Sequence, residues 1–308
     1  MCGIVGLHLR NPELHPRLGE LLTGMLVEMT DRGDESAGVA VYGDPRWSPE
    51  GRMTVSFVPD STSRALSTGL AEQDAATALT DALGSPVEVI DAGPTFVAHV
   101  PRDLGADQLR AAILAAYPKA LIAGFGEHLA VLKGVGLPRD LADAYGLPQA
   151  QGWQGVGHTR MATESAVTAG GCHPYNVGLD QCLVHNGSFH NYASVRRHLR
   201  EKGITFSSEN DTEVGAWFVA DRLAQGYDVE TALKELLATF DGGYTLLVSN
   251  TESFAVVRDA IALKPAVIAE HPDWVAMASE YRALVQLPGI DDARIYEPEP
   301  ERIYAWTR

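Results

Sequence analysis

Apolar positions along the chain either alternate or recur at helical spacing, and the switches between the two patterns mark out its elements. Ile4 to Leu9 reads as a buried strand. Leu14, Leu18, Leu21, Leu22, Met25, Leu26 and Met29 fall on one helical face, predicting an amphipathic helix over 13–30 that ends before Asp31-Arg32-Gly33. Ala37 to Tyr42 is a second buried strand, and the Gly43–Gly51 stretch, with two prolines, is a turn. Residues 59–129 have a different character. Ala65 to Leu83 and Leu104 to Ala116 read as helices, and Val87 to Ile90, Thr95 to Val100 and Leu121 to Gly124 as strands. This block is expected to be an inserted β/α subdomain within a single domain spanning 2–308.

From His128 the first pattern resumes. Asn191 is placed to cap a helix carrying Tyr192, Val195 and Leu199, and Asp211 to cap one carrying Val214, Trp217, Phe218 and Leu223. Val229 to Phe240 is a further helix, closed by Gly242-Gly243. Tyr244 to Ser249, Phe254 to Arg258, Ala266 to Glu270 and Trp274 to Ser279 read as strands, with short ones at Ile295-Tyr296 and Ile303–Trp306. The order strand, helix pair, strands predicts an α+β sandwich of two antiparallel sheets between helix layers.

Charge and composition narrow the function. A net charge of −16 argues against nucleic acid and anionic membranes as partners. No stretch approaches the roughly 18–20 apolar residues of a membrane span, and no secretory signal is visible at the amino terminus. The three cysteines, Cys2, Cys172 and Cys182, are too few and too odd in number for a disulfide framework. A free reactive thiol calls for a reducing compartment, so the cytoplasm is the expected location.

The chemistry begins at Cys2. If Met1 is removed, one residue carries a thiol nucleophile and a free α-amine that can take and return a proton near neutral pH. Asn186-Gly187 ends the apolar run Cys182-Leu183-Val184-His185. There a side-chain and a backbone N–H can face one oxyanion, although Asn-Gly is also a favoured turn. Arg160, on a strand ending Gly157-His158-Thr159-Arg160, can fork onto a carboxylate or lie on the surface. Cys172-His173 and Cys182-x2-His185 have the look of zinc spacing. Residues three apart on a strand point to opposite faces, however, so no metal is expected. No Gly-x-Ser-x-Gly elbow and no flavin, nicotinamide or iron–sulfur motif is present.

Five segments follow one another behind Cys2: Arg32-Gly33-Asp34-Glu35-Ser36-Ala37-Gly38, Gly157-His158-Thr159-Arg160-Met161-Ala162-Thr163, His173-Pro174, His185-Asn186-Gly187 and Asn210-Asp211-Thr212-Glu213-Val214. Together they resemble the class II glutamine amidotransferases, over residues 2–58 and about 130–290. The resemblance implies the four-layer αββα fold of the N-terminal nucleophile hydrolases. It implies Cys2 as nucleophile, and Asn186 and Gly187 as the oxyanion site. It further implies Arg160 on the glutamine carboxylate with Thr163 nearby, Asp211 on the α-ammonium, and His173 shaping the pocket. Arg32 and Gly33 then support the nucleophile. The chain departs from many relatives at Met161, where they have Trp, at Glu164, where they have His, and at Asp34-Glu35.

The 131–145 segment and the inserted block look most like the amidotransferase subunit of glutamate synthase-like complexes, in particular N-methylglutamate synthase. That implies a glutaminase subunit which passes ammonia to a separate synthase subunit. FMN and iron–sulfur clusters are then expected only in the partner, and no cofactor in this chain. Two alternatives stay open: a γ-glutamyl amidohydrolase acting on glutathione-type peptides, and a non-catalytic interaction subunit. The presence of Cys2, Arg160, Asn186-Gly187 and Asp211 together argues against the second.

Overall fold

The computed structural model describes residues 2–161 and 167–308. Its largest sheet has seven antiparallel strands in the order β15-β13-β14-β1-β8-β2-β7. These are β1 (Gly3–Leu9), β2 (Ser36–Tyr42), β7 (Leu129–Val135), β8 (Gln154–Arg160), β13 (Val267–His271), β14 (Trp274–Ala278) and β15 (Arg294–Tyr296). A second sheet runs β16-β12-β11-β10-β9. It comprises β9 (Tyr175–Asn176), β10 (Cys182–Phe189), β11 (Gly242–Ser249), β12 (Ser253–Arg258) and β16 (Tyr304–Thr307). Helices α1 (Leu18–Val27) and α4 (Pro138–Tyr145) cover the outer face of the first sheet. Helices α5 (Tyr192–Glu201), α6 (Asp211–Ala224) and α7 (Val229–Thr239) cover the outer face of the second. The result is the αββα sandwich that the sequence predicts.

Strand alternation explains how the two sheets meet. On β1, Val5, Leu7 and Leu9 pack toward α1, while Ile4 faces the second sheet. On β8, Val156 faces the gap; on β10, Val184 does. Gly6 lets the leaves approach, since a Cβ there would lie 2.4 Å from Leu247 Cδ2 and 2.8 Å from Phe254 Cζ.

The inserted block forms a third, four-stranded sheet with its own apolar core, in the order β4-β5-β3-β6. It uses β3 (Met53–Val58), β4 (Glu88–Ala92), β5 (Thr95–Val100) and β6 (Leu121–Gly126), with α2 (Glu72–Leu83) and α3 (Ala106–Ala116) packed on it. This sheet takes in β3, which begins at Met53, because the backbone ladders of β3 run to β5 and β6; a side chain ties it to the sandwich, Ser56 Oγ accepting the Val131 N–H of β7 at 3.1 Å. A strand's partner is a tertiary fact that the residues of β3 do not carry.

Several local expectations are corrected. The helix expected over 13–30 is a 3-10 turn at Pro12–Arg17 followed by α1, since Pro16 has no N–H for an α-helical ladder. The helix expected from Ala65 starts at Glu72, after Gly69 at φ +68°. Asn191 does not cap α5; it donates to Thr239 O and accepts from Asp241 N, tying the start of α5 to the α7–β11 connection. Gly242-Gly243 open β11 and do not close α7, which ends at Thr239. Among the described residues no helix is long and apolar enough to cross a membrane.

Candidate active site

At one end of the sandwich the gap between the sheets turns from apolar to polar, and it does so on three strands at once. Two residues from Ile4, on the same side of the chain, lies Cys2. Two residues beyond Val156 is His158, and two beyond that Arg160. Two beyond Val184 is Asn186. The period of two thus brings a thiol, an imidazole, a guanidinium and a carboxamide to one end of a single gap. Cys2, Arg160, His173, Gly187 and Asp211 all line one cleft of about 810 Å³.

Cys2 is partly exposed, and its carbonyl is gripped from two sides. Arg32 donates from Nε to Cys2 O at 2.9 Å, and Asn186 donates from Nδ2 to the same oxygen at 3.0 Å. Arg32 is buried and is held in turn by Glu280, Nη1 to Oε1 at 2.7 Å. The Asn186 amide also donates to Ser279 Oγ at 3.2 Å, and Ser279 Oγ accepts the Ile4 N–H at 2.9 Å. The end of β14 therefore braces the start of β1 and the Asn186 side chain together. The thiol itself points toward Met161 O, 3.8 Å away.

Gly33 allows the Arg32 loop to cross directly over β8. A Cβ there would lie 2.6 Å from both the carbonyl carbon and the nitrogen of Arg160. Arg160 is nearly buried, and Gly171 leaves room for its guanidinium; a Cβ at 171 would come within 2.8 Å of Nη1. Gly187 is exposed to the cleft at φ +118°, a backbone conformation that glycine alone adopts without strain.

Asp211 does not cap α6 as expected. Asn210 does so, its Oδ1 accepting the Thr212 N–H at 2.8 Å, because Asn210 and not Asp211 holds the extended N-cap conformation. Asp211 sits in the first turn, accepts the Phe189 N–H at 2.8 Å, and presents its carboxylate to the cleft. The loop before it is locked by two residues that sequence reasoning passed over. Buried Glu213 accepts from the backbone N–H and the hydroxyl of both Ser207 and Ser208. Buried Arg196 donates to Ser208 O and Asn210 O. The Asn210…Glu213 spacing of N-cap and N3 was a readable signal. Ser279, Glu280 and Arg196 carried none, because their partners are distant in the chain or belong to loop backbone. Thr163 lies outside the described residues, as does Met1.

A row of buried imidazoles forms part of the cleft wall. His158 stacks on His173 with ring centroids 4.1 Å apart, and His185 stacks on Phe189 at 4.5 Å. The His185 N–H donates to His173 Nδ1 at 3.2 Å, and Thr212 Oγ1 bonds His185 Nδ1 at 2.9 Å. Burial pushes His158 down from 6.5 to about 3, and lowers His173 and His185 for the same first reason. Folded, these rings stay neutral where the unfolded chain's imidazoles take up protons. The unfolded state then binds more protons below pH 6.5, so stability falls as pH falls. Between pH 7 and 5.5 His158 alone removes about 1 kcal/mol, and the other two act in the same direction. Urea titrations at the two pH values measure this; stability that is flat or rises toward acid would contradict neutral, buried rings.

Cys182 packs between the sheets, whereas His185 faces α6, so the two point to opposite sides of β10. Among the described residues no group of three His, Cys, Asp or Glu is arranged to hold a metal ion.

Comparison with known proteins agrees with this geometry. Residues 141–298 match the glutamine amidotransferase domain family. The chain is 45% identical to the glutamine amidotransferase-like protein GlxB of Rhizobium meliloti, over 99% of this chain and 98% of that one. It is 32% identical to the glutamine–fructose-6-phosphate aminotransferase of Pyrobaculum aerophilum, over 53% of this chain and only 27% of that enzyme. Its fold superposes on the glutamine phosphoribosylpyrophosphate amidotransferase of Bacillus subtilis with a TM-score of 0.61 at 18% identity, covering 99% of this chain and 47% of that one. An αββα sandwich with a near-terminal cysteine at the mouth of its gap, matched over its whole length by such a relative, places the chain in the class II glutamine amidotransferase family.

Proposed function

We propose that the chain is a glutaminase subunit. Its Cys2, exposed as the amino-terminal residue after loss of Met1, attacks the side-chain amide carbon of glutamine. The thiol proton passes to the α-amine and then to the departing nitrogen. The C–N bond breaks, ammonia leaves, and a γ-glutamyl thioester remains. Water then adds to the thioester, and glutamate is released. The observation that carries this reading is the placing of thiol, guanidinium and carboxylate in one cleft lining. Arg160 suits the α-carboxylate of glutamine and Asp211 its α-ammonium, which favours a free amino acid over a peptide-internal glutamine. In the tetrahedral step one Asn186 N–H turns from its present acceptor to the oxyanion, beside the Gly187 backbone.

The ammonia acceptor belongs, in this proposal, to a separate synthase subunit of the glutamate synthase-like type, with FMN and iron–sulfur clusters housed there. Two measurements test the reading. Purified protein given glutamine, a γ-glutamyl peptide or a peptide-internal glutamine should release glutamate and ammonia in equal amounts from the first. Preferred cleavage of the γ-glutamyl peptide would make it an amidohydrolase instead. Affinity capture from the native source should recover a flavin-containing partner; a free monomer with robust, uncoupled glutaminase activity counts against the complex.

A further inference from the structure

The Asn186 side chain bridges two groups whose chemistry fixes its orientation. Its nitrogen end faces Cys2 O at 3.0 Å, and a carbonyl can only accept, so that end is the NH2 group. Its oxygen end then faces His158 Nε2 at 3.0 Å, and an amide oxygen can only accept, so the imidazole carries its proton on Nε2. His158 is 1% exposed, and its Nδ1 has no hydrogen-bond partner among the described residues. A proton on Nε2 is used by the amide oxygen, whereas its absence would leave two acceptors, Nε2 and Asn186 Oδ1, facing each other at 3.0 Å. The ring is itself held in place, stacked on His173, whose Nδ1 is occupied by the His185 N–H.

We propose that His158 is a positioning residue for the amidotransferase reaction: its Nε2–H holds the Asn186 amide oxygen and thereby aims the amide N–H groups toward Cys2 and the developing oxyanion. An asparagine without this hold can rotate by half a turn and present its oxygen to the oxyanion, replacing a donor with a repulsive acceptor. The His158 Nε2–H is committed to the Asn186 oxygen, and the charged ends of the substrate fall, in the proposed reaction, to Arg160 and Asp211. Loss of His158 therefore bears on the turnover step and spares glutamine binding.

The activity arm of the test rests on the glutaminase reading; the spectroscopic arm does not. His158→Leu removes the donor at similar bulk. It should lower kcat about 10²-fold, the scale of losing one oxyanion donor, with KM changed by less than about threefold. His158→Gln, whose amide nitrogen reaches the Nε2 position, should recover at least about tenfold of that loss. Nitrogen-15 histidine spectra of the wild-type protein, assigned against His158→Gln, should show His158 as the neutral Nε2–H tautomer at neutral pH. An Nδ1–H tautomer or an imidazolium overturns the proposal. So does an unaltered kcat in His158→Leu, or a rise in KM that His158→Gln fails to reverse. If His158→Leu does not fold, or if the wild type does not hydrolyse glutamine, the tautomer alone decides; the second result also removes the glutaminase reading itself.

Discussion

Replacing Cys2 by alanine should abolish the proposed glutamine hydrolysis, lowering kcat by at least about 10⁴-fold, and leave the fold almost untouched. The first half follows from chemistry: without sulfur no thioester forms, and loss of a covalent nucleophile is among the costliest single changes an enzyme can suffer. The second half follows from geometry. The hydrogen bonds from Arg32 and Asn186 end on the Cys2 backbone carbonyl, which alanine keeps. The thiol is partly exposed, and its one hydrogen bond among the described residues is a long contact to Met161 O, so stability should change by less than about 1 kcal/mol. Intact mass after treatment with a glutamine-analogue electrophile reads the result directly. Wild type should carry one adduct on a chain lacking Met1, and Cys2→Ala none. An adduct on the alanine variant, or labelling of a chain that keeps its methionine, ends the case for Cys2.

Gly187→Ala damages both folding and turnover. The residue holds φ +118°, and a Cβ there would meet Gly243 O at 2.0 Å and Tyr244 Cα at 2.8 Å. Both obstacles are backbone of the neighbouring strand, so relief means prising β10 from β11 at the point where Asn186 is presented. We expect a loss of about 2–4 kcal/mol in stability and at least about 10²-fold in kcat. Gly226→Ala is the matched control: φ is +90° there, yet nothing lies within 4 Å of an added Cβ. It carries the backbone strain without the crowding and should cost about 1 kcal/mol with full activity. A Gly187→Ala protein as stable and active as this control would show that the strand pair is not held as tightly as the contacts require.

Much of this was legible along the chain because it depends on short-range rules. Short apolar runs at β1, β2 and β10 gave buried strands, and the two-residue period of a strand separated Cys182 from His185 before any coordinates. The 3.6-residue period located α5, α6 and α7 and the apolar stripe of α1. Local chemistry overrode periodicity where Pro16 and Gly69 shortened two helices. Capping was misjudged by one residue at Asp211, since Asn and Asp are nearly equal as caps and only the backbone angle of Asn210 decides between them. What could not be read was pairing across distance. Glu280 supports Arg32 from 248 positions away, and Ser279 receives Ile4 from 275 away; nothing near either residue announces the partner. His158 stood in plain view beside Arg160, but its task becomes visible only once Asn186 arrives from the opposite sheet.

The gap between the two sheets has a further consequence. Cys2, His158 and Asn186 are each delivered by the inward-facing side of a different strand, and a slip of one residue in any of the three would turn that group outward. Catalytic competence therefore behaves as a proofreading signal for strand alignment. A chain that collapses with near-native helix content but shifted pairing would hold the same residues without the assembled cleft.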